Sequence, residues 1–346
     1  MKVGWLFCAK KRRKFRPPVV MFYKRKVFVF GFLFVAIAAA VFCLVVWLTK
    51  PNQPVFGVTF STIYTQSLNL DIQQTYLAVL NDLQVRHLRI PVYWSTIEPQ
   101  RGRYDWADLD FMVFEAEKHR VELILTIGRK VPRWPECFIP NWASGLTYTD
   151  AEKALFDMET AVVERYKNSS AIVSWQVENE VFFPFGVCPV SNQETFSKEL
   201  SLVRSLDSRP VTITVSGELE PWFNMARQAD ILGISMYRIS WNPIFGFFPY
   251  PLPAMIYKLR ILLIAPFTSE VVVSELQAEP WFNKSINELT EWEKVEAFTV
   301  DDLKNNINFA SLVGVKKVYL WGVEWWYAEK TAGHPELWEA ARKIFN

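Results

Sequence analysis

Histidine is scarce in this chain, with three in 346 residues. His87 and His119 fall within or beside predicted core elements, so little imidazole is left to build a metal site, and no cofactor is expected. Cysteine is nearly as sparse. The four cysteines keep no zinc-binding spacing. Cys8 lies in a basic stretch and Cys43 in an apolar one. Cys137 and Cys188 fall in predicted loops after neighbouring strands, where they can pair as one disulfide or stand as free thiols. Net charge is also small, +2 overall. Lys10, Lys11, Arg12, Arg13, Lys14, Arg16, Lys24, Arg25 and Lys26 crowd the N-terminus, and the remainder is acidic. That distribution argues against nucleic acid as the main partner. No internal sequence repeat or low-complexity domain is present.

What the chain has in quantity is aromatic surface: 15 tryptophans and 16% aromatic residues. A tryptophan-rich, mildly acidic body suits a carbohydrate-handling protein, because indole faces stack on the C–H faces of sugars. Residues 1–26 are basic and proline-interrupted and read as a disordered cytoplasmic tail. Residues 27–48 form an uncharged apolar run long enough to cross a bilayer as a helix. The basic flank predicts that the tail stays in the cytoplasm while the body is exported, as a single-pass cell-membrane protein. A cleaved signal peptide is the rival, with Ala38-Ala39-Ala40 as a cleavage site, but the apolar run continues past it to Leu48. An uncleaved anchor is the reading adopted. Residues 49–54, with Pro51-Asn52-Gln53-Pro54, form a linker.

From Val55 onward short apolar runs alternate with longer amphipathic segments. Strands are predicted at Val55–Phe60, Val85–Ile90, Val121–Ile127, Ile172–Val177, Val211–Val215, Ile231–Met236, Val271–Ser274 and Lys317–Trp321. Helices are predicted between them, among others at Asp71–Leu83, Trp106–His119, Asp150–Lys167, Gln193–Leu206 and Val295–Val313. Strands that each precede helical material predict an α/β fold, a (β/α)₈ TIM barrel over residues 55–346. The aromatic stretch Trp241 to Pro253 is expected to elaborate the loop after the sixth strand.

In such a barrel, side chains just past the C-terminal strand ends converge on one cavity. Those positions hold Arg89, Tyr93 and Trp94 after the second strand, and Asn179 and Glu180 after the fourth. Tyr237 follows the sixth, Glu275 the seventh, and Trp321 and Glu324 the eighth. Two carboxylates from opposite sides of a pocket, ringed by Arg, Asn, Tyr and Trp, match the needs of glycoside cleavage. An acid must protonate the leaving oxygen, and a carboxylate must stabilise or trap the oxocarbenium-like centre.

The run Arg89-Ile90-Pro91-Val92-Tyr93-Trp94-Ser95-Thr96-Ile97-Glu98-Pro99, continuing through Gly102, Tyr104, Asp105, Trp106 and Asp110, resembles the strand-two signature of the clan A glycoside hydrolases. These are retaining (β/α)₈ enzymes that include family 5 cellulases, family 39 xylosidases and family 42 β-galactosidases. Trp175-Gln176-Val177-Glu178-Asn179-Glu180 resembles the clan's strand-four motif, and Val273-Ser274-Glu275-Leu276-Gln277-Ala278-Glu279-Pro280-Trp281 its strand-seven motif. The resemblance implies that Glu180 is the general acid/base and Glu275 the nucleophile of a β-glycosidase that works by double displacement or transglycosylates. The two carboxylates would then lie roughly 5 Å apart. Glu178 competes with Glu180 for the first role, although strand alternation points it away. Glu279 competes with Glu275, and otherwise binds substrate.

Arg89 would serve as counter-charge to Glu275, with Tyr237 as its hydrogen-bond donor. Asn179 would meet the sugar 2-hydroxyl, and Trp321 would form the floor under the ring. Trp94 is grouped with the substrate-binding residues, although tryptophans placed like it and like Trp134, Trp142 and Trp281 are more often rim packing than subsites. Many clan members carry a His after the third or sixth strand; here Arg129, Lys130 and Arg238 stand there. They could favour an acidic sugar, or be solvated loop cations. A tethered carbohydrate-binding barrel without activity is the alternative function, and a structural or adhesion ectodomain with no organised pocket is a third.

Overall fold

The computed structural model describes residues 19–242, 244, 246–281, 290, 293 and 297–345. The chain divides into two compact units, one up to Lys50 and one from Pro51. The first unit is a single helix, Val19–Thr49. It begins ahead of the predicted apolar run and takes in Tyr23, Lys24, Arg25 and Lys26, so the end of the stretch expected to be a disordered tail is helical. The rest of that stretch, residues 1–18, lies outside the described residues. Phe32, Phe34 and Phe42 are exposed along the helix. No helix among the described residues is long and apolar enough to cross a membrane. The predicted span is therefore corrected to a helix that includes basic residues.

The second unit is a closed eight-stranded barrel. Its strands are β1 (Val55–Thr59), β2 (His87–Pro91), β3 (Glu122–Ile127), β4 (Ile172–Val177), β5 (Val211–Val215) and β6 (Ile231–Met236). A short antiparallel hairpin follows, β7 (Ile239–Asn242) with β8 (Gly246–Pro249), and then the last two barrel strands, β9 (Glu270–Gln277) and β10 (Lys317–Trp321). The barrel closes in the order β1-β10-β9-β6-β5-β4-β3-β2, every neighbouring pair parallel. Parallel strands covered by helices are buried on both faces, which is why they read in sequence as unbroken Val, Ile and Leu runs. Helices at Ile72–Asn81, Ala107–His119, Tyr148–Tyr166, Gln193–Leu206 and Val300–Val313 follow β1, β2, β3, β4 and β9. Local chemistry sets their ends. Asp71 caps Gln74 N at 2.7 Å, and Thr299 with Asp302 forms a capping box that starts the Val300 helix. The predicted start of that helix, at Val295, lies outside the described residues.

The hairpin occupies the aromatic stretch expected to elaborate the sixth loop. It leads into a helix, Ala254–Ile264, whose residues are apolar almost all round and so carry little helical periodicity. A second departure lies in β9, which runs past the predicted Ser274 end to Gln277. Its register slips by one residue against both neighbours. Val273 pairs with Ile234 and Glu275 with Ser235 on one side, and Val273 pairs with Val318 and Leu276 with Leu320 on the other. The extra residue is a bulge, which re-aims the side chain that follows it. Glu275 is thus held within a hydrogen-bonded strand, where the sequence placed it at a free tip.

Candidate active site

Arg89 is the organising cation. It is fully buried on β2, and its guanidinium spans the barrel beneath the cavity. Nε donates to Gln176 Oε1 at 2.7 Å, Nη2 to Asn179 Oδ1 at 2.7 Å and Nη1 to Glu275 Oε1 at 2.9 Å. Such a planar fork of charge-assisted bonds fixes three strands to one geometry. Tyr237, just past β6, donates its hydroxyl to Glu275 Oε2 at 2.9 Å. Both oxygens of Glu275 therefore carry a donor, which suits a carboxylate.

Glu180 has the opposite surroundings. Its Oε1 is buried without a hydrogen-bond partner among the described residues, and burial first, then the charge of Glu275, push its carboxyl well above the ordinary range. The backbone around it is strained: Glu178 has φ +57° and Glu180 φ +44°, left-handed values that side chains other than glycine adopt at a cost of about 1–3 kcal/mol. Thr214 Oγ1 accepts from Glu180 N at 2.9 Å and holds the turn. Lys130 fixes it from the other side, Nζ donating to Glu180 O at 2.9 Å and Phe183 O at 2.7 Å.

Glu178 turns away from the cavity. Its carboxylate accepts the backbone N–H of Lys130 at 2.6 Å and of Arg129 at 3.1 Å. It packs so closely on Gly128 (φ +125°) that a Cβ there would lie 2.7 Å from the carboxyl carbon. Behind it stand the buried Glu159 and Glu199, whose carboxyls burial, followed by the charge of Glu178, raises well above the usual range.

A cavity of about 1230 Å³ opens above this layer. Asn179, Glu180, Tyr237, Glu275, Glu279 and Trp321 all line it. Arg89 lies underneath, and Trp94 is elsewhere. Trp94 starts the short helix Trp94–Ile97, donates Nε1 to Glu98 Oε2 at 2.7 Å and packs edge-on against Trp142. Its expected contact with substrate is corrected to packing, because the chain turns into that helix directly after Tyr93 and carries the indole outward. Arg129, Lys130 and Arg238 do not line the cavity either. Arg129 donates to Ser191 Oγ, Lys130 is the buried strut already described, and Arg238 stacks on Phe309 at 3.8 Å. All three are held by protein contacts, Lys130 buried and Arg129 and Arg238 half-buried.

Three lining groups escaped the sequence reading. Arg133, after β3, binds Glu279 and Glu324 and lies between two rings, 3.8 Å from the centre of Tyr64 and 4.1 Å from that of Trp321. One face of the expected sugar floor is therefore covered by a guanidinium, and Glu279 is an ion-paired wall. Glu218 accepts from Tyr257 Oη at 2.6 Å, and burial pushes its carboxyl up to about 7. Glu136 accepts from Asn179 Nδ2 at 3.2 Å. All three stand in loops without periodicity; the one nearby signal was Cys137. That cysteine is bonded to Cys188, closing a loop of 51 residues that such a crosslink stabilises by about 4 kcal/mol on chain-entropy grounds. At the rim Trp134, Phe185 and Trp281 form an aromatic wall, with successive ring centres 5.9 Å apart.

No family model matches the sequence. Over 165 residues the chain is 19% identical to the β-galactosidase BgaA of Clostridium cellulovorans, covering 42% of this chain and 25% of that protein. The chain thus spans about a quarter of the length of that curated relative. Among solved structures, xylanase 10B of Thermotoga maritima superposes with a TM-score of 0.58 at 16% identity, over 86% of this chain and 96% of that one. A GH5_18 protein of Streptomyces cattleya, solved in complex with GlcNAc, superposes with a TM-score of 0.52 at 13% identity, over 79% and 71%. At these identities the likeness is one of fold: the parallel eight-stranded α/β barrel on which these glycoside hydrolases are built.

Proposed function

We propose that the barrel is a retaining β-glycosidase acting on an oligo- or polysaccharide, with Glu275 as nucleophile and Glu180 as general acid/base. The observation that carries this reading is the contrast between the two carboxyls. Glu275 is tied by Arg89 and Tyr237, whereas the raised Glu180, whose Oε1 has no hydrogen-bond partner among the described residues, lines the same cavity with a proton to give. A carboxyl that its surroundings keep protonated suits the acid role, and one held by two donors suits the nucleophile role.

In the first step Glu275 attacks the anomeric carbon as the bond to the leaving oxygen breaks, and Glu180 delivers its proton to that oxygen. The product is a glycosyl ester on Glu275. Glu180, now a carboxylate, removes a proton from water, which attacks the anomeric carbon and releases Glu275; Glu180 ends reprotonated. A sugar hydroxyl in place of water gives transglycosylation. Asn179, held by Arg89, presents an amide N–H where the 2-hydroxyl would lie. Among the described residues the lining carboxyls Glu136, Glu180, Glu218, Glu275 and Glu279 face one lining cation, Arg133, itself paired twice. That balance supports a neutral sugar over an acidic one.

Activated 2-deoxy-2-fluoro-β-glycosides of glucose, galactose, mannose and xylose are expected to include one that labels Glu275 stoichiometrically, read by peptide mass spectrometry. A label on Glu279 would keep the class and overturn the nucleophile. No label and no hydrolysis would leave a carbohydrate-binding barrel.

The same proposal places the protein at the cell membrane, held on its surface through the N-terminal helix, with the barrel exported. Its support is the basic flank, the exposed Phe32, Phe34 and Phe42 of that helix, and the Cys137–Cys188 bond, which persists in oxidising compartments. The full chain is expected to stay with the membrane pellet after alkaline carbonate washing, with the barrel open to protease on intact cells. Release into the wash would overturn the anchor.

A further inference from the structure

We propose that Glu136 is a third functional carboxyl of this site, donating a hydrogen bond to the glycone beside Asn179. The proposal rests on the glycosidase reading and deepens it.

The turn that carries Glu136 is built to aim it inward. Glu136 N donates to Arg133 O at 2.7 Å and Val131 N to Glu136 O at 2.9 Å. Its own φ is +76°, a left-handed conformation that costs a non-glycine residue about 1–2 kcal/mol. The loop after β4 is clamped onto it. Val187 N donates to Pro135 O at 2.9 Å, and Cys137 is bonded to Cys188. A Cβ at Gly186 would lie 2.6 Å from the Glu136 Cβ, so only glycine lets the loops close this far. The result is a carboxyl 5% exposed that lines the cavity.

Its contacts define what it can do. Arg89 donates to Asn179 Oδ1, which orients that amide with its nitrogen toward Glu136 Oε2. Oε2 is therefore an acceptor, and Oε1 has no hydrogen-bond partner among the described residues. The charged and titratable groups facing Glu136 are Glu275 on β9, Arg89 on β2, Tyr93 after β2, Lys130 after β3 and Glu180 after β4. Burial, then the charge of Glu275, push its carboxyl up to about 8, against the opposing pull of Asn179, Lys130 and Arg89. Near neutral pH Glu136 therefore holds a proton. With Oε2 accepting from Asn179, that proton belongs on Oε1 and faces the cavity. A site built to hydrogen-bond a sugar oxygen loses heavily when that donor is missing.

The test uses Glu136→Gln and Glu136→Ala in the full chain, with kcat/KM followed from pH 5 to 10 on the glycoside that labels Glu275. Glutamine keeps both contacts at every pH: its oxygen accepts from Asn179 and its NH₂ donates into the cavity. E136Q is expected to hold kcat/KM within about threefold at pH 6, with its alkaline limb moved upward. E136A is expected to lose about 10–100-fold at pH 6, the cost of an unmade buried hydrogen bond. If Glu180 alone sets the alkaline limb, E136Q moves it downward, because Glu136 is one of the charges raising Glu180. A limb moved downward or left in place, or an E136A as active as wild type, would overturn the proposal. Failure of the wild type to be labelled or to turn over would instead sink the glycosidase reading beneath it.

Discussion

Glu275→Gln is expected to lower kcat by at least about 10⁴-fold on every substrate, with the protein still folded. Glutamine fills the same volume and its oxygen still accepts from Arg89, so the lost chemistry is the anomeric carbon's covalent partner. Glu180→Ala should behave differently, because its first role is to protonate the leaving oxygen. Aryl glycosides with acidic phenol leaving groups need little protonation and should keep a near-normal first step. Alkyl glycosides and natural linkages should lose about 10²–10⁴-fold, the usual worth of a positioned acid. Azide, a nucleophile needing no base, should then restore turnover of the aryl substrates and give a β-glycosyl azide. Comparing leaving groups across the two variants is the decisive measurement. A Glu180→Ala loss that ignores the leaving group would remove Glu180 from the acid role, and an active Glu275→Gln would remove Glu275 from the nucleophile role.

Arg89→Met should be the most damaging substitution for stability in the barrel floor, lowering the unfolding free energy by about 3–5 kcal/mol. The asymmetry of the pair gives the reason. Arg89 has acceptors on Gln176, Asn179 and Glu275, so losing one leaves it still bonded. Among the described residues Glu275 has only Arg89 and Tyr237 as side-chain donors, so losing Arg89 leaves a buried carboxylate with a single neutral partner. Arg89→Met with Glu275→Gln should accordingly be more stable than Arg89→Met alone, which urea titrations of the four cycle members would read as a coupling energy. Arg89→Lys, keeping the charge but not the fork, should still lose about 10²–10³-fold in kcat/KM, because an ammonium cannot hold Asn179 and Glu275 together. A double variant no more stable than Arg89→Met would show that the pair does not hold the floor.

The barrel was legible because its strands announce themselves. Val211-Thr212-Ile213-Thr214-Val215 and Val271-Val272-Val273 admit little but a strand buried on both faces. Arg89, Asn179, Glu180, Tyr237 and Glu275 could be named because each lies at or near a strand end, where the fold dictates direction. Legibility ended where direction depends on loops. Trp94 follows Arg89 closely in sequence, yet one turn of helix takes it into packing with Trp142 and Glu98. Lys130 reads as a loop cation and is in fact a buried strut between two loops. Even Glu275 depends on a bulge that leaves no mark in its Val-Val-Val-Ser-Glu run.

The sequence by itself determined the eight-strand alternation, the aromatic and carboxylate character of the cavity, and which strand ends supply its acids. These follow from local periodicity and from residues whose direction the strand imposes. Tertiary structure alone decided that Arg133 covers one face of Trp321, that Glu279 is ion-paired, and that Glu136 enters the site beside Asn179. Those outcomes depend on contacts between segments far apart in the chain, such as Cys137 with Cys188 and Gly186 against Glu136. No pattern confined to either segment encodes a meeting of the two.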